Sequence, residues 1–344
     1  MAAVLGIFPH SSLILRLVSA SVAISKRAGV IIRDVLSENR LAIVEKGLND
    51  LQTEADRSAQ RCIVASLHKQ FPKIAIFGEE VMYCVLLKCL SEVVVWVDPL
   101  DGTSEYTQGL LDHVTVLIGI AVKGVAKAGV IYQPYYGFSK DNPGQVKPRC
   151  IWGVIGLGSF GYTPGQPPKD QKIIATTRSH STPEVVDAYT ACSPTEVIKV
   201  GGAGHKVLLL LEGVAHAYVF GSPGCKKWDT CAPEAVLHAV GGRLTDVHGN
   251  LYKYFSHVKR RNTGGVLATL DGGEHPDYVK LIPDSVKADV IRVDEIVSFE
   301  SWVSVWKIGI SPQLCWLSFN SIINDTAKLE SLGQFTYISV EIRN

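Results

Sequence analysis

The chain has no Cys-x-x-Cys pair, no apolar run approaching the ~20 residues that cross a bilayer, and no basic run longer than Lys259-Arg260-Arg261. The first absence bears on its eight cysteines, at 62, 84, 89, 150, 192, 225, 231 and 315. Their spacing argues against a structural zinc, and 344 residues is far beyond the small secreted domains that need disulfide frames, so they read as reduced thiols. The second absence argues against a membrane protein. The apolar N-terminal stretch is no exception: Pro9, His10, Ser11 and Ser12 interrupt it and no basic region precedes it, so no signal peptide is expected. A soluble, cytoplasmic protein is expected. The third absence, with 34 Lys+Arg against 33 Asp+Glu and a net charge of +1, leaves no bulk field to recruit a nucleic acid polymer. A small charged metabolite remains open, since one pocket can be strongly charged in a neutral whole.

What is present is a large apolar fraction, 47%, in a chain too long for one average domain. Leu13, Leu17, Ala20 and Ile24 recur at helical spacing, predicting a helix over 13–36. A second helix is expected over 49–72, capped by Asn49 or Asp50 and closed by Pro72. Strands are expected at 74–78 and 93–98, then a pair over 114–134 separated by a Lys-Gly turn. The Pro/Gly/Gln stretch 163–171 is the linker candidate. Beyond it, "KIIATT" and "HAYVFG" read as strands, and "HKVLLLLEG" and "CAPEAVLHAVGG" as helices, the second with Pro233 in its first turn and closed by Gly241 and Gly242. Mixed strand and helix order predicts a layered α/β protein. The expected division is a domain over 1–168, a second over 169–289, and a Trp-rich tail over 290–344 that packs poorly.

The stretch "WVDPLDGT" (96–103) ends a buried strand on two aspartates three positions apart. Pro99 and Gly102 stiffen the turn, and Asp98 and Asp101 repel unless a cation lies between them. Mg²⁺ takes about six hard oxygen ligands, and Asp98, Asp101 and the Leu100 carbonyl form a compact oxygen cluster of that kind. On residue types alone the pair is also an ordinary Asp-Pro-x-Asp-Gly turn. Two further acids bear on the choice. Glu79 ends the strand "IAIFGE", and Asp229 lies where a Pro/Gly loop enters a helix, a place also suited to an N-cap.

"GEE" (78–80), "DPLDGT" (98–103) and "WDTCAPE" (228–234), in that order, resemble the metal-dependent, lithium-sensitive phosphatases of the inositol monophosphatase superfamily. "VEKGLNDLQTEADRSAQ", "DHVTVLIGIA", "TTRSHS", "VGGAGHK" and "SPGCKKWDTCAPE" resemble its bisphosphate nucleotidase branch, which removes one phosphate from 3′-phosphoadenosine 5′-phosphate. The resemblance covers about residues 13–288. It implies an αβαβα sandwich of the inositol monophosphatase and sugar phosphatase type. It also implies two to three Mg²⁺ ions held by Glu79, Asp98, the Leu100 carbonyl, Asp101 and Asp229. In this picture Asp56 and Thr103 act together on the attacking water, and substrate contacts come from Thr103, Thr177, His180, Gly202 and Lys206. The Gly-rich turn entering the helix at 202–206 has free N–H groups suited to an anion. Without the resemblance, Asp56 reads as a surface residue of an amphipathic helix, and the glycines as packing or a C-cap.

The partner is then a bisphosphate nucleotide or an inositol phosphate, and the chain a monomer or homodimer. Alternatives are an inositol polyphosphate 1-phosphatase, or a weakened isoform that only binds nucleotide. The last is motivated by departures from the family: a shortened segment "VMYCVLLKCL" after Glu79, Ser104 where Lys usually follows "DGT", and the unmatched tail. "GLGSFG" (156–161) matches G-x-G-x-x-G, but "YTPGQPP" follows where a helix must begin, so no dinucleotide fold is expected.

Overall fold

The computed structural model describes residues 11–47, 50–80, 82–83, 92–139, 141 and 146–290. Most of the segment "VMYCVLLKCL", and the tail from residue 291 onward, lie outside the described residues.

Helix α1 (Ser11–Ser37) buries a stripe of Leu17, Ile24, Ala28, Ile32 and Val35, spaced so that one face meets the core. Strands β1 (Val44–Gly47) and β2 (Asp50–Gln52) form a small antiparallel hairpin. Helix α2 (Glu54–Gln70) therefore starts later than the sequence predicts. Neither Asn49 nor Asp50 caps it; Thr53 does, its hydroxyl accepting from the Ala55 N–H (3.2 Å) while Asp56 accepts from the Thr53 N–H (2.7 Å). This reciprocal arrangement satisfies donors that an earlier start would leave open.

The first sheet has seven strands in the order β4-β3-β5-β6-β7-β8-β9. They are β3 (Ala75–Gly78), β4 (Met82–Tyr83), β5 (Val93–Asp101), β6 (Thr115–Val122), β7 (Val125–Gln133), β8 (Arg149–Val154) and β9 (Gly158–Phe160). β5 is buried throughout, which is why it reads as a continuous apolar run from Val93 to Val97. β6 and β7 form the expected antiparallel pair around Lys123 and Gly124. The "GLGSFG" stretch is a hairpin tip leading into β9.

After an exposed crossing over 161–172 the second sheet begins, in the order β11-β10-β12-β14-β13. Its strands are β10 (Ile173–Thr177), β11 (Glu196–Val200), β12 (Ala217–Phe220), β13 (Arg243–Thr245) and β14 (Val266–Thr269). Five short-to-medium helices accompany it: α4 (Pro183–Ala191), α5 (Ala203–Leu211), α6 (Lys227–His238), α7 (His275–Leu281) and α8 (Asp284–Asp289). A further short helix, α3 (Thr103–Thr107), follows β5 directly.

Three buried clusters define five layers. One lies between α1 and α2 and a face of the first sheet. A second fills the space between the two sheets and contains α5 and α6. A third packs α4, α7 and α8 on the outer face of the second sheet. This is the αβαβα sandwich the sequence predicts.

α6 approaches the first sheet closely because Gly119, Gly129 and Gly153, neighbours across β6, β7 and β8, lie beneath it. A Cβ at Gly129 would stand 2.3 Å from the Ala232 carbonyl oxygen, and one at Gly119 2.6 Å from Cys231. α6 also begins at Lys227, earlier than expected, so Pro233 lies inside the helix rather than in its first turn. Asp229 explains the early start, because it accepts from the Lys226 backbone N–H (2.7 Å) and holds the first turn.

Candidate active site

Asp98 and Asp101 are three apart, and on a regular strand an odd separation puts side chains on opposite faces. The pairing of β5 with β6 removes that difficulty. Asp98 lies opposite Leu117 and Asp101 opposite Thr115, three steps on one strand against two on the other. The bulge at Pro99 and Leu100 thus returns both carboxylates to the face covered by α5 and α6. Gly102 follows at φ 91°, a conformation a side chain would strain, and opens α3 with Thr103.

α6 brings Asp229 to the same point, close enough that its charge acts on the Asp98 carboxyl. β3 ends beside β5, and the Glu79 N–H donates to the Val97 carbonyl (3.2 Å). Burial, then the charges of Glu79, Asp229 and Asp101, push the Asp98 carboxyl well above the usual carboxylate range. Burial raises Asp229 to about 7, and Asp101 is raised for the same reason.

On the other flank, α2 delivers Asp56, fully buried. Its Oδ2 accepts from the Thr53 N–H (2.7 Å) and hydroxyl (2.5 Å), while its Oδ1 accepts from the Thr103 hydroxyl (2.9 Å). That hydroxyl also lies 3.0 Å from the Leu100 carbonyl oxygen. Burial raises Asp56 to about 6.

Hard carboxylate and carbonyl oxygens packed together at raised pKa fit a divalent cation of the Mg²⁺ type. Among the described residues no three such side chains yet close on one point. Asp101 is turned to the Ala203 and Gly204 N–H groups (2.8 Å each), and Glu79 to Lys46 Nζ (3.0 Å), which also meets Glu80 (3.0 Å). Because these acids bind protons more readily folded than unfolded, the cation-free protein loses stability as pH rises from about 4, the ordinary carboxylate value, to about 7, the Asp229 value. Thermal scans in chelator are expected to show a midpoint falling across that window, and Mg²⁺ to restore more of it at pH 8 than at pH 5. A midpoint rising with pH in chelator would contradict the cluster.

The substrate-side expectations fare differently. The free N–H groups predicted at the start of α5 are not free, since Asp101 occupies them. Lys206 is buried, 4% exposed, with Nζ donating to the Gly202 carbonyl (2.8 Å) and lying 5.1 Å from the Tyr218 ring centre. Its ammonium is buried and directed at that carbonyl rather than exposed. Thr177 ends β10, its hydroxyl accepting from the His180 N–H (3.3 Å), and His180 is exposed beside Ser179. Arg178 ties this turn to α3 through Glu105 Oε1 (3.2 Å). Ser104 accepts from the Gln108 side chain (2.9 Å). Sequence reasoning missed Thr53, Lys46 and Thr115. Only Thr53 had a local signal, Thr-x-x-Asp ahead of an apolar helix.

A sequence profile of the inositol monophosphatase family matches residues 15–287, and the chain belongs to that family. Within it, the chain is 50% identical over 302 residues to the Homo sapiens protein 3′(2′),5′-bisphosphate nucleotidase 1, covering 80% of this chain and 97% of that one. It is 34% identical to the protein of the same name from Dictyostelium discoideum (78% and 96% covered), and 31% identical to a putative inositol monophosphatase 3 from Drosophila melanogaster (77% and 79%). Among solved structures, the extragenic suppressor protein suhB of Bartonella henselae superposes with a TM-score of 0.62 at 21% identity (78% and 98% covered). CysQ of Bacteroides thetaiotaomicron gives 0.60 at 24% (74% and 97%). These two support the fold. No helix among the described residues is long and apolar enough to cross a membrane.

Proposed function

We propose that the chain is a Mg²⁺-dependent phosphomonoesterase that hydrolyses the 3′-phosphate of 3′-phosphoadenosine 5′-phosphate and of analogues such as 3′-phosphoadenosine 5′-phosphosulfate. The reading is carried by one observation: the Asp56–Thr103 pair and the Asp98, Asp101, Asp229 and Glu79 carboxyls are brought to the end of a single strand from four separate parts of the chain. The likeness to bisphosphate nucleotidases over nearly the whole of their length supports the substrate.

Glu79, Asp98, Asp101, Asp229 and the Leu100 carbonyl are the residues to hold two to three Mg²⁺ ions. Bound there, such ions supply positive charge against the phosphate ester and favour the ionised form of the attacking water. The protein's own groups set the proton path. With its hydrogen directed at Asp56 Oδ1, Thr103 Oγ1 keeps lone pairs to accept a hydrogen bond from the water. As the water oxygen bonds to phosphorus and the bond to the 3′ oxygen breaks, the water's proton goes to Thr103 Oγ1 and that hydroxyl's proton to Asp56 Oδ1, while the departing 3′ oxygen takes up a proton from solvent water. Asp56, at about 6, has the near-neutral basicity this transfer needs, and Thr53 fixes its orientation. The turn bearing Thr177 and His180, with Gly202, frames the nucleotide side.

The test is phosphate release from 3′-phosphoadenosine 5′-phosphate and from an inositol bisphosphate, each with and without Mg²⁺ and lithium. Mg²⁺-dependent, lithium-inhibited turnover of the nucleotide is expected. Faster turnover of the inositol bisphosphate would replace this reading, and nucleotide binding without phosphate release would end it.

A further inference from the structure

We propose that Thr115 is a positioning residue for the metal site: its hydroxyl anchors Asp101 to the sheet, so that Asp101 stays in register with Asp98 while α5 holds its other side. The proposal rests on the metal-site reading above. Three donors converge on Asp101: the Ala203 N–H on Oδ1 (2.8 Å), the Gly204 N–H on Oδ2 (2.8 Å), and the Thr115 hydroxyl on Oδ2 (2.6 Å). The two amides belong to α5, an element of the second half of the chain. Only the Thr115 hydroxyl comes from the first sheet, on the strand that pairs with the one carrying both aspartates.

The placement follows from the bulge in β5. Because three residues of β5 span two of β6, Asp101 falls directly opposite Thr115, and without the extra residue the two would not face each other. Thr115 is fully buried and Asp101 nearly so, 7% exposed, so no solvent replaces a lost bond cheaply. Space is reserved for the contact. A Cβ on Gly204 would come within 2.6 Å of Thr115 Oγ1 and 3.2 Å of Asp101 Oδ2. A hydroxyl donating to a carboxyl oxygen at 2.6 Å is a short bond with a fixed direction. Removing it leaves the Asp101 carboxyl held by the α5 amides alone, free to turn with that helix relative to the Asp98 carboxyl.

Groups that orient metal ligands in this way change metal affinity by about 10- to 100-fold when lost. The test compares Thr115→Ser and Thr115→Ala, which both lack the methyl group and differ in the hydroxyl, with Thr115→Val as the isosteric variant. Mg²⁺ binding is measured by calorimetry on the full chain without substrate, beside the thermal midpoint in chelator. The Ser variant is expected to bind Mg²⁺ within a few-fold of the parent. The Ala and Val variants are expected to bind 10- to 100-fold more weakly, with most of kcat regained at high Mg²⁺. Equal Mg²⁺ affinity in the Ser and Ala variants would show that Thr115 only packs and would overturn the proposal; this comparison decides the matter even if the Val variant fails to fold. Failure of the parent chain to bind Mg²⁺ would overturn the metal-site reading and this proposal together. Mg²⁺ binding by a parent that does not hydrolyse the nucleotide would overturn the proposed substrate, and the Ser and Ala comparison would still decide Thr115.

Discussion

Replacing Asp98 by Asn is expected to lower kcat for nucleotide hydrolysis by roughly a thousandfold while the fold survives. Asp98 is the carboxyl on which the charges of Glu79, Asp229 and Asp101 all act. The amide keeps its shape and its place opposite Leu117 but contributes no charge to a cation. The same substitution removes a repulsive partner from a buried acidic cluster, so the cation-free protein should melt a few degrees higher, not lower. The two readouts together, phosphate release and melting in chelator, separate this outcome from ordinary loss of structure. Turnover at the parent rate would mean that the hydrolytic centre lies elsewhere.

The second large effect is expected at a residue with no side chain. A valine at Gly129 would place its Cβ 2.3 Å from the Ala232 carbonyl oxygen, closer than any real contact allows, before its two methyl groups are counted. Either the sheet or α6 must shift, at a cost of about 3 kcal/mol in urea unfolding. Because α6 carries Asp229 on its first turn, movement of the helix also disturbs the proposed metal site, and Mg²⁺ binding should weaken even in molecules that remain folded. A Gly129→Val chain with parent stability and parent Mg²⁺ affinity would show that the helix does not bear on the glycine row as closely as these distances require.

How far the sequence carries the site depends on how local the interaction is. Asp98, Leu100, Asp101 and Thr103 sit within six residues, and the valine run ahead of them marks the buried strand that presents them. Asp229 is legible as the acid entering a helix, although residue types suggest an N-cap there with Pro233 in the first turn, whereas the helix begins at Lys227 and holds Asp229 at N3. The start of α2 differs for a related reason: residue types at 49 and 50 suit a cap, but the reciprocal Thr53–Asp56 pair caps the helix instead. What could not be read is the bond between Asp101 and the amides of residues 203 and 204. Some hundred residues separate the partners, and backbone donors leave no mark in residue type. The glycine-rich turn looked open to an anion, which is sound chemistry, but the anion is the protein's own.

The helical layer between the sheets ties the two halves of the chain in a way that bears on fragments. α5 and α6 come from the second half yet cover the inner face of the first sheet, so either half alone would expose an apolar slab the width of several strands. The exposed crossing over 161–172 is where a protease would cut most readily. A nicked chain should stay associated and keep its melting behaviour, whereas the two pieces expressed apart should aggregate.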